Sequence, residues 1–173
     1  MAMKSVGLFV DLTNLYYCCG KRWVGRKLDY KKFYDKVKEI TGNDMYRAFA
    51  YGAAIDRKAD KFIVALRYCG FDVKYKEPKI YTKDNKEIRE ANWNIGIAMD
   101  IVRHMDKLDI VVLGSADADM APVIDWIKER GARCIVFACG ISRALKDAAN
   151  QYVEIEEDLL AEEKEKTDGT PTT

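Results

Sequence analysis

The stretch VVLGSADADM, Val111 to Met120, ends an apolar run with a glycine, a serine and two aspartates one residue apart. The residues that lead into it, LDIVVLG (108–114), form a short apolar run that is typical of a strand buried on both faces of a sheet. Two like charges directly after a buried strand are unfavourable unless something compensates them. Asp117 and Asp119 are therefore the first candidate site residues.

The rest of the chain alternates strand patterns with helix patterns, which are recognised by short apolar runs and by apolar residues spaced three and four apart. This alternation predicts an α/β fold, a three-layer domain with a mainly parallel central sheet and helices on both faces. In chain order we predict a strand at 6–11, a helix at 28–40, a strand at 46–55, a helix at 56–70 with Asp56 as N-cap, an edge strand at 71–78, an exposed loop or hairpin at 79–90, a helix at 91–105, a strand at 108–114, a helix at 120–131, a strand at 132–140, a helix from Ser142 to 152 and a last strand at 152–158.

The bulk composition is that of one globular domain. The chain has 173 residues, of which 49% are hydrophobic and 33% charged, enough to bury a core. Its five cysteines lack paired CxxC spacing, which favours reduced thiols over a disulfide framework or a zinc site. The N-terminal apolar run is too short for a signal peptide, and no stretch approaches a membrane span. We expect a cytoplasmic protein without membrane contact, and a disordered tail over 161–173.

The formal net charge is only +1, but its distribution is uneven. Residues 20–90 contain 19 Lys and Arg against 11 Asp and Glu, and the rest of the chain contains 10 against 17. A basic middle beside acidic flanks suits a polyanion-binding face next to a carboxylate site. The alternative is that these charges are ordinary solvated helix surfaces.

The acids fall where an α/β sheet binds its ligands. Asp11 directly follows the first strand, as Asp117 and Asp119 follow the strand at 108–114. Ligands in such sheets lie beyond the carboxyl ends of the strands, at the point where the strand order reverses. If the two strands are neighbours there, the three carboxylates meet. Asp100, which interrupts the apolar run IGIAMDIV of a predicted helix, is expected to join them.

Four carboxylates brought together repel one another, and a hard divalent cation such as Mg²⁺ or Mn²⁺ would compensate them. Each acid also has a structural alternative. Asp117 and Asp119 could cap the next helix, and Asp11 could be a turn residue. Asp100 could form a buried ion pair with Arg103 or Lys107.

Four segments together resemble the NYN domain of the PIN-like nuclease group, which includes the LabA-like bacterial proteins. They are GLFVDLTNLY, NWNIGIAMDIV, DIVVLGSADADMAPVIDWIKERGARCIVFA and SRALKDAANQYVEI. The resemblance covers 5–158 and implies a PIN-like fold and a ribonuclease that cleaves phosphodiester bonds with metal-activated water. The residues that it implies for Mg²⁺ or Mn²⁺ binding and catalysis are Asp11, Asp100, Asp117 and Asp119, with Asn14 matching the asparagine of the first motif and Ser115 as an assisting donor.

One position departs from the family pattern. Where many relatives carry an acid in the helix motif, this chain has Asn94, which keeps an oxygen ligand but loses a charge. The departure motivates an alternative function, a catalytically weak or inactive PIN-like module that binds RNA or protein. A phosphatase of the haloacid-dehalogenase type is a further alternative, but its mechanism needs an acid where Thr13 stands.

The expected partner is RNA, preferably single-stranded. The segment GKRWVGRK, predicted as a glycine-flanked loop after the first strand, combines cations for phosphates with an aromatic ring for an unpaired base. Its tryptophan could instead cap the core, and a homodimer is left open. The predicted nucleic-acid-binding residues are Lys21, Arg22, Trp23 and Arg26, followed by Lys86 and Arg89 in the polar segment before the helix of Asp100.

Overall fold

A computed structural model describes residues 4–53 and 59–162. The strands are β1 Val6–Asp11, β2 Met45–Ala53, β3 Asp72–Lys76, β4 Lys79–Lys83, β5 Lys86–Glu90, β6 Ile110–Gly114, β7 Arg133–Ala138 and β8 Gln151–Glu154. The α-helices are α1 Leu12–Arg22, α2 Tyr30–Thr41, α3 Ala59–Tyr68, α4 Asn94–His104, α5 Ala121–Glu129 and α6 Arg143–Ala148. Short 3-10 helices cover Met105–Lys107, Ala118–Met120 and Glu157–Leu159.

Six of the strands form a parallel sheet in the order β3-β2-β1-β6-β7-β8. The chain builds outward from β1 to β3 on one side and from β6 to β8 on the other, so the strand order reverses between β1 and β6. Val10 pairs with Gly114 at the carboxyl ends of these two central strands. The predicted α/β sheet is confirmed. The strands that lead into Asp11 and Asp117 are neighbours at its switch point.

Helices cover both faces of this sheet. Every residue of β1 and of β6 is buried, as their continuous apolar runs predict. On one face Phe33 of α2 stacks on Phe137 of β7, with ring centroids 4.4 Å apart. On the other face Phe49 of β2 lies 5.1 Å from the ring of His104 in α4. These contacts place α2 and α4 on opposite faces of the sheet, and the predicted three-layer fold is confirmed.

The loop predicted after the first strand is wrong, because α1 begins directly at its end. Asp11 caps this helix by accepting the Asn14 backbone N–H at 2.9 Å. Leu12, Leu15 and Cys19 bury one side of the helix against the sheet. As a result GKRWVGRK begins in the last turn of a helix, where its first cations complement the helix dipole.

The segment at 79–90 is a hairpin, and it stands apart from the six-stranded sheet. Asp84 and Asn85 at its tip have φ of 51° and 58°, which a tight hairpin turn requires at both central positions. The turn sets Lys83 directly opposite Lys86.

Other predicted details have mixed outcomes. The edge position of β3 and the Ser142 cap, which accepts the Leu145 N–H at 3.2 Å, are confirmed. The predicted Asp56 cap and the tail beyond Glu162 lie outside the described residues. Packing continues past 158, because Leu160 is 1% exposed. Within the described ranges, no helix has the length and apolar character that crossing a bilayer requires.

Candidate active site

Asn14 ties the end of β1 to the loop after β6. Its backbone N–H donates to Asp11 Oδ1, and its side-chain Oδ1 accepts the Ala116 N–H at 2.8 Å. Fully buried Ser115 accepts the Asp117 N–H on its Oγ at 3.2 Å. These bonds hold the backbone of both acids at the switch point.

The pKa of Asp11 depends on its burial and on the nearby charge of Asp117. Asp11 is only 6% exposed, and burial is the main reason why its pKa lies above the ordinary value. The negative charge of Asp117 raises the pKa further, against the lowering effect of the hydrogen bond from the Asn14 N–H. The structure therefore brings these two predicted residues together, with a repulsion that a cation would relieve.

Asn94 contacts Asp117 directly. It occupies the first turn of α4, and its Nδ2 donates to Asp117 Oδ2 at 2.8 Å. The amide thus stabilises part of the Asp117 charge while its own Oδ1 stays available as an oxygen ligand. The position at which the chain departs from the family pattern therefore contacts a residue of the candidate site.

Asp119 is exposed at the edge of the same loop. Its backbone N–H donates to Asp117 Oδ1 at 3.0 Å, which makes Asp117 the N-cap of the 3-10 helix Ala118–Met120. The capping alternative is therefore present for Asp117. It leaves Asp117 Oδ2 facing Asn94, so capping and a ligand role are compatible.

Asp100 does not join the other acids in one carboxylate cluster. It is 3% exposed and accepts hydrogen bonds from Tyr51 Oη at 2.9 Å, Lys74 Nζ at 2.5 Å and Arg103 Nη1 at 2.9 Å. Burial alone would raise the pKa of Asp100, but the bonds from Lys74, Tyr51 and Arg103 outweigh it and hold the pKa below its usual value. The predicted ion pair with Arg103 is present, and two cations neutralise this carboxylate.

The expected nest of four carboxylates is thus replaced by a smaller donor set. Within 4–53 and 59–162, no three carboxylate, imidazole or thiol side chains are grouped so that they could hold a metal ion. Mg²⁺ in proteins often uses only one or two carboxylates, with waters and substrate phosphate completing its shell. Asp11, Asp117 and the Asn94 amide oxygen fit such a site chemically, because all are hard oxygen donors and the two acids need a compensating charge.

A family profile described as NYN domain matches residues 5–156. The chain belongs to the NYN domain family. NYN domains are a PIN-like nuclease family, so the predicted resemblance is confirmed. The chain is 23% identical over 159 residues to the low amplitude and bright protein LabA of Synechococcus elongatus, covering 88% of this chain and 84% of that protein.

A solved structure shares the fold of this NYN domain. It is the crystal structure of a Vibrio parahaemolyticus protein of unknown function, which is 28% identical and superimposes with a TM-score of 0.80. The match covers 92% of this chain and 97% of that one. The three-layer fold is therefore found nearly end to end in a second protein.

Sequence reasoning missed one cation at the site of this NYN domain. Lys76 ends β3, its charge lowers the pKa of Asp11, and its Nζ lies 4.4 Å from the Trp93 ring centroid. The Lys76 ammonium also donates to the carbonyl oxygen of Asn92. Lys76 is the last residue of a parallel strand, so its position at the ligand-binding edge of the sheet could have been predicted in the same way as that of Asp11.

The predicted RNA-binding residues of the NYN domain divide into two groups. Arg22 pairs with Glu154, Arg26 pairs with Glu157 at 2.9 Å, and Arg89 pairs with Glu87 at 2.8 Å. Trp23 packs partly buried against the core, with the Arg22 guanidinium 4.9 Å from its ring centroid. Lys21 and Lys86 are exposed, and neither has an ion-pair partner in the described part of the chain.

Replacing Asp100 tests its role. Asp100→Asn leaves Lys74 and Arg103 without their counterion, and we expect a loss of about 1–3 kcal/mol in the free energy of unfolding at pH 7. Because the pKa of Asp100 is depressed in the folded state, its contribution is present at neutral pH and is lost as the pH falls through that pKa. Chemical unfolding from pH 7 to pH 3 should therefore show the two proteins converging at the acid end.

Asp106→Asn, at an exposed acid just after α4, is the matched control and should change stability little. Unchanged stability of Asp100→Asn together with loss of nuclease activity would instead support the ligand role that the resemblance implies for Asp100.

Proposed function

We propose that this chain is a metal-dependent ribonuclease that cleaves RNA phosphodiester bonds with Mg²⁺ or Mn²⁺. The observation that carries the proposal is the buried Asp11 carboxylate at the switch point of the sheet, which Asn14 links to the loop that carries Asp117. Membership of a PIN-like nuclease family supports the same reaction class. Each acid caps a helix of its own, but capping does not require the two carboxylates to lie near each other, whereas a divalent ion would use both.

Asp11 and Asp117 would hold the ion, with the Asn94 amide oxygen beside them and Asp119 contributing through water. An ion held there would lower the pKa of a water molecule and would offset charge on the phosphoryl oxygens. The roles of the other residues follow from their contacts. Asn14 and Ser115 position the two acids, and Lys76 supplies a cation for a phosphate oxygen.

Exposed cations on α1 and on the hairpin would hold the RNA strand. Lys21 lies at the end of α1 and Lys86 lies on the hairpin that joins β3 to α4. The phosphates of unpaired RNA are accessible to these lysines, because no second strand lies beside them. We also propose that this activity takes place in the cytoplasm, because the five cysteines lack paired spacing and reduced thiols are typical of that compartment.

The second candidate is a catalytically weak or inactive module that binds RNA or a protein. Asn94 favours it, because an amide on Asp117 replaces a charge that would strengthen metal binding. The two candidates predict different responses to metal.

A cleavage assay separates them. The purified chain should cleave fluorescent single-stranded RNA with Mn²⁺ or Mg²⁺ and should stop when a chelator is added. Asp117→Asn should lower the rate by about 100-fold or more, since loss of even an outer metal partner costs about 10–100-fold. Asp125→Asn, at an exposed acid on α5, is the control and should keep full activity. RNA binding without cleavage, equal in the wild type and Asp117→Asn, would favour the inactive module.

A further inference from the structure

A cavity of about 390 Å³ opens beside the first two turns of α1. Aromatic side chains surround it on several sides, and Gly52 at the end of β2 forms part of its floor. Thr13, which stands between Asp11 and Asn14 in the chain, also lines it. The cavity therefore lies beside the chain segment that carries Asp11 and Asn14.

Several aromatic residues that line the cavity are open to solvent. Tyr16 is 57% exposed, Phe62 is 44% exposed and Tyr75 is 51% exposed. Tyr30 lies edge-on to Phe62 with ring centroids 5.7 Å apart. Exposed aromatic rings grouped around one concave surface are typical of a binding site for a flat apolar ligand.

The surroundings of the cavity are cationic. A second cavity of about 340 Å³ shares Tyr16 and Lys27 with the first and continues past Lys21. Lys21 and Lys27 are both exposed. Aromatic faces next to a positively charged groove are the combination that binds single-stranded nucleic acid, where bases stack and phosphates pair with cations.

We propose that this cavity receives one unpaired nucleobase of the RNA strand, next to the bond that is cleaved. The inference rests on the proposed function and extends it to a base-binding subsite. A base in a duplex is stacked and paired, so it cannot enter the cavity without being released. The cavity therefore selects single-stranded RNA or loops.

A binding experiment that does not depend on cleavage tests the subsite. A fluorescent eight-nucleotide RNA is compared with an abasic strand of the same length and charge, in the Asp117→Asn background. Stacking on an aromatic residue is worth about 10-fold in affinity per base. We expect the base-bearing strand to bind about 10-fold more tightly or better, and Tyr16→Ala and Tyr75→Ala each to reduce that preference about five-fold.

Tyr68→Ala is the matched control, because Tyr68 is an 89% exposed tyrosine at the far end of α3. It should leave the preference unchanged, and thermal unfolding of each variant checks that the fold is intact. Using two half-exposed tyrosines keeps the test valid if one variant does not fold.

The possible outcomes separate the subsite from the nuclease. An unchanged preference in both Tyr16→Ala and Tyr75→Ala overturns the subsite, even if the wild type cleaves RNA. A preference that depends on these tyrosines supports the subsite, even if the wild type does not cleave. If adenosine or uridine monophosphate binds at the tyrosines while RNA binding ignores both substitutions, the occupant is a free nucleotide and the RNA proposal is overturned.

Discussion

Asp11→Asn is expected to reduce RNA cleavage by about 100-fold or more while leaving the folded protein as stable as the wild type or more stable. The asparagine keeps an Oδ1 that accepts the Asn14 N–H, so the cap of α1 is retained. The substitution removes a buried charge that burial and Asp117 both disfavour. Without metal, the free energy of unfolding should rise by about 0.5–2 kcal/mol, the range that is typical of single stabilising substitutions.

The measurement combines a cleavage assay in Mn²⁺ with chemical unfolding in chelator at pH 7. The sign follows from the raised pKa of Asp11, because a carboxylate with a raised folded-state pKa opposes folding when it is ionised. Asp125→Asn serves again as the exposed control. A loss of stability with full activity would show that Asp11 is only a helix cap.

The second large effect is expected from Asn94→Asp, which gives opposite results with and without metal. Asn94 Nδ2 donates to Asp117 Oδ2, and an aspartate turns this hydrogen bond into a contact between two carboxylates. In chelator the variant should lose about 1–3 kcal/mol of stability. In Mn²⁺ the third carboxylate should raise metal affinity about 10-fold or more, and bound metal should then stabilise the fold.

Thermal unfolding over a Mn²⁺ titration measures both effects in one experiment, and a cleavage assay shows whether activity rises. Asn92→Asp is the matched control, because Asn92 is exposed and its Oδ1 accepts the Asn94 N–H at 2.8 Å without touching Asp117. Equal responses to Mn²⁺ in both variants would show that residue 94 is not part of a metal site.

The sequence was sufficient to predict the sheet and the meeting of Asp11 with Asp117. Asp11 ends the apolar strand β1, Asp117 follows the apolar strand β6 by three residues, and in a parallel sheet the carboxyl ends of neighbouring strands lie at one edge. The same argument does not extend to Asp100. Helical spacing tells which face of α4 carries it, but the partners Tyr51 and Lys74 come from two other strands whose facing side chains no local pattern indicates.

The missed helix α1 has a different cause. Its sequence LTNLYYCCGKR contains many residues of modest helix propensity and a glycine. What stabilises it is the Asp11 cap and the burial of Leu15 and Cys19 against the sheet. Tertiary packing therefore determines whether this segment is helical. The cavity beside Tyr16 depends on the same packing, so the local sequence does not predict it.

Direct titration of the apo protein with Mn²⁺, followed by calorimetry or electron paramagnetic resonance, tests the central claim without any substrate. The wild type should show saturable binding, and the double variant Asp11→Asn/Asp117→Asn should show none at the same concentrations, with its fold intact. Saturable binding that is unchanged in the double variant would contradict a metal site at the switch point between β1 and β6.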